Sequence, residues 1–210
     1  MAGPLPLRFR CSAAKAAQLP AAGAELALTG RSNVGKSSLL NALANRRDLA
    51  RVSKTPGATR LLNVFELEGA PGRWVVDLPG YGFAKVSANE RARWRGMIEG
   101  YLVDRVTLRR VLVLIDGEVG PTPLDRQMLD WLAHLGRPYT VVATKADKVR
   151  SSRRLAQRKA VAERLGLGRD ELRWVSAATG AGIPELRAEL GRLLAEPAEP
   201  APPAAPLPAG

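Results

Sequence analysis

Cysteine and histidine are almost absent from the 210 residues: Cys11 and His134 stand alone. A single thiol excludes an internal disulfide and any cysteine-based metal site. His134 falls in a predicted helix, Asp125 to Leu135, and is read as structural or solvated. Aromatic residues make up only 5%, and Trp74, Trp94, Trp131 and Trp174 lack the spacing of a base-stacking platform, so packing is their expected role. No apolar run spans a membrane, and the basic, alanine-containing first residues have no apolar core of secretion-signal length. A cytoplasmic protein is expected. Acidic residues are outnumbered, 20 against 32 Lys and Arg, for a net charge of +12.

The first 25 residues contribute +2 of that charge and the tail −2, so the excess sits between them. Such a balance suits a polyanionic partner. The segment Arg150 to Arg154, with Arg158, Lys159 and Arg164, puts several cations on one predicted helix, and Arg91, Arg93, Arg95, Arg105, Arg109 and Arg110 cluster near another. Either set can meet nucleic-acid phosphates. The excess of 25 Arg over 7 Lys also fits a genome-composition effect.

Apolar patterns place strands at Leu26–Thr29, Leu61–Leu67, Arg73–Leu78, Val111–Ile115, Tyr139–Ala143 and Arg173–Val175, the second and third forming a hairpin. Helices are expected at Lys36–Asn45, Asn89–Val103, Pro123–Leu135, Ser152–Leu165 and Pro184–Leu194, with Ser87 and Glu90 as a capping box. This alternation predicts an α/β fold: a mainly parallel six-stranded sheet with one antiparallel strand and helices on both faces. Residues 26–195 form the domain, after an N-terminal extension, 1–25. The proline-alanine tail, 196–210, is expected to be disordered.

Five short motifs fall at the carboxyl ends of these strands, where ligands of such sheets sit. Gly30-Arg31-Ser32-Asn33-Val34-Gly35-Lys36-Ser37 matches the phosphate loop G-x-x-x-x-G-K-[ST] between a strand and a helix. Lys36 is placed to reach β- and γ-phosphates, and Ser37 to bind Mg²⁺. Asp77-Leu78-Pro79-Gly80 ends another strand; its aspartate suits a magnesium ion held through water, and the Gly80 N–H suits a γ-phosphate sensor. Thr144-Lys145-Ala146-Asp147 offers a carboxylate to the guanine N1–H and N2–H₂, a donor pair that adenine lacks. Ser176-Ala177 lies 29 residues beyond Asp147, where a backbone N–H can meet guanine O6. The polar segment Ser53 to Arg60 supplies a hydroxyl for the magnesium shell, Thr59 or, alternatively, Thr55.

The stretches GRSNVGKSSLLNAL, SKTPGATRLLNVFEL, VVDLPGYGFA and TKAD resemble the EngB (YihA/YsxC) family of ribosome-biogenesis GTPases, in the Era-like class. The resemblance covers about residues 8 to 195 and rests especially on T-P-G-x-T and D-L-P-G-Y-G. It implies GTP contacts at Gly30 to Ser37, at Gly57, Ala58, Thr59, Arg60 and Leu61, at Asp77 to Gly80, at Thr144 to Asp147, and at Val175, Ser176 and Ala177. Magnesium is implied at Ser37 and Thr59. The same resemblance implies association with the large ribosomal subunit during assembly, with its rRNA and proteins, and a need for the protein in division and septation. A septation GTPase acting through protein partners, without ribosome binding, is the alternative. Three positions depart from wider patterns: Ala58 where a basic residue is frequent, Thr144 where N-K-x-D has Asn, and Ala178 where many GTPases have Lys. Thr144 is expected to forfeit an amide hydrogen bond.

Catalysis is then assigned to Lys36, Thr59 and Gly80, because Tyr81 replaces the water-orienting glutamine of Ras-type enzymes. Slow turnover, on the order of 10⁻⁴ to 10⁻² s⁻¹, is expected from positioning and magnesium alone. Two additions can raise it. One is potassium bound by Asn33, which matches the potassium-binding asparagine of related Era-like GTPases; the other is the ribosomal particle, ordering the loop Tyr81 to Ala88. A monomer is expected.

Overall fold

Every residue of β2 (Ala24–Gly30) is buried, as a strand covered by helices on both faces must be. Its side chains alternate between two cores: Ala27 enters one, Leu26 and Leu28 the other. The same alternation divides β5 (Leu108–Asp116), with Val111, Val113 and Ile115 on one side and Leu112 and Leu114 on the other. A computed structural model describes residues 3–50, 61–82, 88–168 and 171–196.

Besides β2 and β5 the sheet contains β1 (Leu7–Ala13), β3 (Leu62–Leu67), β4 (Arg73–Asp77), β6 (Tyr139–Thr144) and β7 (Leu172–Trp174), in the order β1-β3-β4-β2-β5-β6-β7. Only β3 runs against the rest, pairing antiparallel with both β1 and β4. Helices α1 (Lys36–Ala44) and α5 (Ile183–Ala195) cover the face lined by Leu26, Leu28 and Leu112. Helices α2 (Ala88–Asp104), α3 (Pro123–His134) and α4 (Arg154–Leu165) cover the other. The three-layer α/β arrangement and the single antiparallel strand follow the sequence expectation.

The strand count does not: among the described residues there are seven where six are expected, and the seventh lies inside the segment read as an extension. β1 is an edge strand whose middle residues, Arg8, Phe9 and Arg10, are exposed, so it lacks the apolar signature of the inner strands. What seats it is charge. Arg8 Nη2 and Arg10 Nη1 each donate to the buried carboxylate of Glu66 on β3, at 2.7 Å, and Gly72 N and Trp74 Nε1 donate to the same group. The Gly72 amide first, then Arg8, Trp74 and Arg10, hold this carboxyl at about 2 against the cost of burial.

Helix boundaries shift by short steps. The predicted start at Ser152 is a single tight turn, Ser151–Arg153, with α4 proper beginning at Arg154. At α3 a capping box forms instead of being merely spaced: Asp125 Oδ2 accepts from both N and Oγ1 of Thr122, each at 2.7 Å, with Pro123 in the first turn. The capping box expected at Ser87 and Glu90 lies outside the described residues, as does the tail from residue 197.

The basic cluster expected near α2 is not one patch. Arg105 donates to the buried Glu25, Arg109 to Leu193 O at 3.0 Å and Arg110 to Tyr139 O at 3.4 Å. These three guanidiniums tie elements of the fold together. All four tryptophans pack in or against one core, as expected.

Candidate functional site

Residues 30–35 join β2 to α1 and wrap the amino-terminal end of that helix. Gly30 is forced by crowding, since a Cβ there would meet Leu114 O at 2.8 Å and Val34 Cγ1 at 2.9 Å. Gly35 caps α1 with φ 106°, a left-handed conformation costly for any side chain. Val34 is buried beneath the loop; Asn33 is exposed, with φ 63°. Successive amides at the positive end of a helix make this concavity suited to phosphate. Lys36 and Ser37 open the first turn, both half-buried.

Parallel pairing of β2 with β4 sets Asp77 opposite Leu28, and the pairing continues past both strands. Leu78 N donates to Leu28 O at 2.9 Å, Tyr81 N to Gly30 O at 3.2 Å, and Ser32 N to Tyr81 O at 3.2 Å. Leu78, Pro79 and Gly80 are therefore buried against the phosphate loop. A Cβ on Gly80 would lie 3.1 Å from Lys36 Nζ, so that ammonium and Gly80 face each other directly.

Burial pushes the Lys36 ammonium below its ordinary range, opposed by the Asp77 carboxylate. Burial also raises the Asp77 carboxyl, to about 6, with Lys36 pulling it down. Asp77 Oδ1 has no hydrogen-bond partner among the described residues. A buried carboxylate oxygen without a partner is the kind of group a water-shelled Mg²⁺ ion uses, and the Ser37 hydroxyl in the first turn of α1 is a further oxygen donor. The residues present fit that ion.

At the other end of the site, β6 delivers Thr144 and Lys145. The Thr144 hydroxyl lies 2.6 Å from Val34 O and 3.0 Å from Ile115 O, and its one proton goes to the nearer, so the bond expected to be lost is replaced by one to the phosphate loop. Lys145, at φ 54°, sends Nζ to Asp116 Oδ2 at 2.6 Å, and Asp116 Oδ1 accepts the Glu118 and Val119 amides. Asp116 was not singled out from sequence; an aspartate ending a strand immediately before the turn Gly117 to Gly120 was the available signal. Ser176 Oγ donates to Asp147 Oδ1 at 2.6 Å, and Ala146 N to Val175 O at 3.1 Å. Ser176 is buried, with Ala177 and Ala178 exposed beside it. The structure thus joins the phosphate loop, Asp77 to Gly80, Thr144 to Asp147, and Val175 to Ala177 at one edge of the sheet.

Gly57, Ala58, Thr59 and Arg60, with the alternative Thr55, lie outside the described residues; Leu61 is described and exposed. Tyr81 does not face the phosphate loop as a water-orienting group would. It is buried, and its hydroxyl donates to Asp125 Oδ1 of α3 at 2.8 Å. Burial, then the Asp125 carboxylate, keep this phenol protonated. His134 is exposed at the end of α3.

A carboxyl raised to about 6 is protonated in the metal-free protein below that pH and must lose its proton to serve a cation. Its burial therefore costs no charge at low pH, and the cost appears as pH rises through 6. The Mg²⁺-dependent gain in affinity for a GTP analogue should weaken progressively from pH 7.5 to 5.5, measured by titration with and without the metal. Asp77→Asn should flatten that profile; a profile identical to the unsubstituted protein would remove Asp77 from the metal site.

A family model described as 50S ribosome-binding GTPase matches residues 25–145. The probable GTP-binding protein EngB of Pelotomaculum thermopropionicum is 51% identical over 186 residues, 88% of this chain and 93% of that protein. The protein of the same name in Clostridium perfringens is 46% identical over 180 residues, 85% of this chain and 90% of its own length. Among solved structures, a probable GTP-binding protein engB superposes with a TM-score of 0.66 at 24% identity, covering 81% of this chain and 98% of that one. Era in complex with MgGDPNP and nucleotides 1506–1542 of 16S ribosomal RNA gives a TM-score of 0.64 at 27% identity, covering 88% of this chain and 60% of that one. With motif geometry, family model and full-length relatives in agreement, the chain belongs to the EngB family of GTP-binding P-loop GTPases.

Proposed function

We propose that this GTPase acts as a nucleotide-dependent switch in assembly of the large (50S) ribosomal subunit, and that normal division and septation depend on it. The observation that carries this reading is the match to a family described as 50S ribosome-binding. The basic turn and helix at α4 support it, since Arg150, Arg153, Arg154 and Lys159 are all exposed there. Residues 26–195 act as the nucleotide-binding domain, and the protein works as a cytoplasmic monomer.

In this reading Gly30 to Ser37 hold the phosphates, Asp147 reads guanine, and the Ala177 amide meets O6. Lys36 neutralises charge on the β- and γ-phosphates; the Gly80 N–H faces the γ-phosphate. Mg²⁺ is held by the hydroxyls of Ser37 and Thr59 and, through water, by Asp77. When bound, the ion neutralises charge on the transferred phosphoryl group. Tyr81, at the position of the water-orienting glutamine, is tied to α3 and not free to orient the attacking water, so unassisted turnover is slow.

Asp147→Asn should move preference from guanine toward xanthine nucleotides, whose O2 accepts from the amide; competition binding measures it, and unchanged selectivity places base reading elsewhere. Potassium at the exposed Asn33 is the proposed source of extra positive charge. Turnover should rise when Na⁺ is exchanged for K⁺ at constant ionic strength, and equal rates refute it. Co-sedimentation with large ribosomal subunits should favour the GTP-analogue form and weaken steeply between two salt concentrations, as phosphate contacts demand. No association in either nucleotide state would move the reading to septation through protein partners.

A further inference from the structure

We propose that Tyr81, Trp94 and Asp125 set the preference of the site between GTP and GDP, by latching the segment Asp77–Tyr81 against the phosphate loop in an arrangement that a third phosphate must break. The inference rests on the nucleotide reading of the site and is independent of the ribosomal partner.

Three elements hold that segment. From α3, the Asp125 carboxylate accepts the Tyr81 hydroxyl at 2.8 Å. From α2, Trp94 Nε1 donates to Pro79 O at 3.1 Å, and its ring meets the Tyr81 ring edge-on with centroids 6.5 Å apart. From the phosphate loop, Gly30 O and the Ser32 amide bind the Tyr81 backbone, and Arg31 Nε stands 3.5 Å from Asp125 Oδ2. Asp125 is itself fixed, fully buried and capped by Thr122. A hydrogen bond to such a carboxylate, shielded from water, is among the stronger kinds.

The latched geometry keeps Gly80 close against Lys36 and the phosphate loop, narrowing the gap that a γ-phosphate would enter. A single carbon added at Gly80 would already be 3.1 Å from Lys36 Nζ, 3.1 Å from Gly30 O and 3.2 Å from Ser32 N. A phosphoryl group is larger than that carbon. The Ser32 amide, moreover, is spent on the Tyr81 carbonyl rather than offered to a ligand. GDP, which needs neither the space nor that amide, is compatible with the latch; GTP binding requires Gly80 to withdraw. Tyr81 and Trp94 thus act as specificity-determining residues by stabilising the arrangement GTP must leave, and α2 and α3 both feel that departure.

Tyr81→Phe removes one hydroxyl and keeps the ring. Binding of fluorescent GDP and a fluorescent non-hydrolysable GTP analogue to the full chain, with Mg²⁺, should show GDP affinity within about twofold of the unsubstituted protein. The ratio of analogue to GDP affinity should rise about fivefold, the size expected for one hydrogen bond. A lost packing or fold contribution would weaken both nucleotides together and leave the ratio where it was. Should Tyr81→Phe fail to fold, Trp94→Phe, which removes the bond to Pro79 and trims the ring that meets Tyr81, carries the same expectation. A ratio that is unchanged or shifts toward GDP overturns the proposal. Failure of the unsubstituted protein to bind either guanine nucleotide would instead overturn the nucleotide reading itself.

Discussion

The parallel seam between β2 and β4 is the constraint on which the site depends. It begins as ordinary sheet pairing and runs on past the end of β4 through Leu28–Leu78 and Gly30–Tyr81 backbone bonds, and past the end of β2 through Ser32–Tyr81. The main-chain segments approach closely here, so that a Cβ at position 30 or 80 would lie within 3.2 Å of neighbouring atoms. The Lys36 ammonium is delivered into the gap by the first turn of α1. On the other flank of β2, β5 ends at Asp116 and β6 at Thr144, in register, which brings the segment Thr144 to Asp147 to the same edge. One central strand therefore brings both groups of motifs together.

Burial sorts the carboxylates of this protein into two kinds. Glu25, Glu66 and Asp125 are as deeply buried as Asp77, yet each is saturated by hydroxyl, guanidinium or amide donors. Asp77 alone among them keeps an oxygen without a partner among the described residues. An unsolvated, unsatisfied carboxylate is costly to the folded state and is retained where a ligand completes it. The saturated ones serve the fold; the orphan is the one the proposed metal site uses.

The motifs proposed to form the nucleotide site are legible in the sequence because they are local: each needs only a few consecutive residues beside a strand, and the inner strands are continuously apolar. The sequence was silent on contacts between distant segments. Thr144 read as a loss because its partner, Val34 O, lies 110 residues away. Asp116 carries no motif by itself, and acquires meaning only when Lys145 reaches it across the β5–β6 seam. Tyr81 was recognised as a poor substitute for glutamine, but the reason it turns inward is Asp125, 44 residues on. β1 escaped notice for a different reason: an edge strand of alternating arginines and half-covered apolar residues has the composition of a surface segment.

The arginines that tie β1, α2 and β5 into place change what a count of positive charge means. Arg8 and Arg10 on Glu66, Arg105 on Glu25, and Arg109 on the end of α5 are structural rivets, their charge or hydrogen-bonding capacity already committed. A charge-reversal survey guided by the sequence alone would strike these as readily as the exposed residues of α4, and loss of partner binding would then report a loosened fold. Restricting such a survey to Arg150, Arg153, Arg154 and Lys159 separates the surface that can be offered to another molecule from the surface the protein needs for itself.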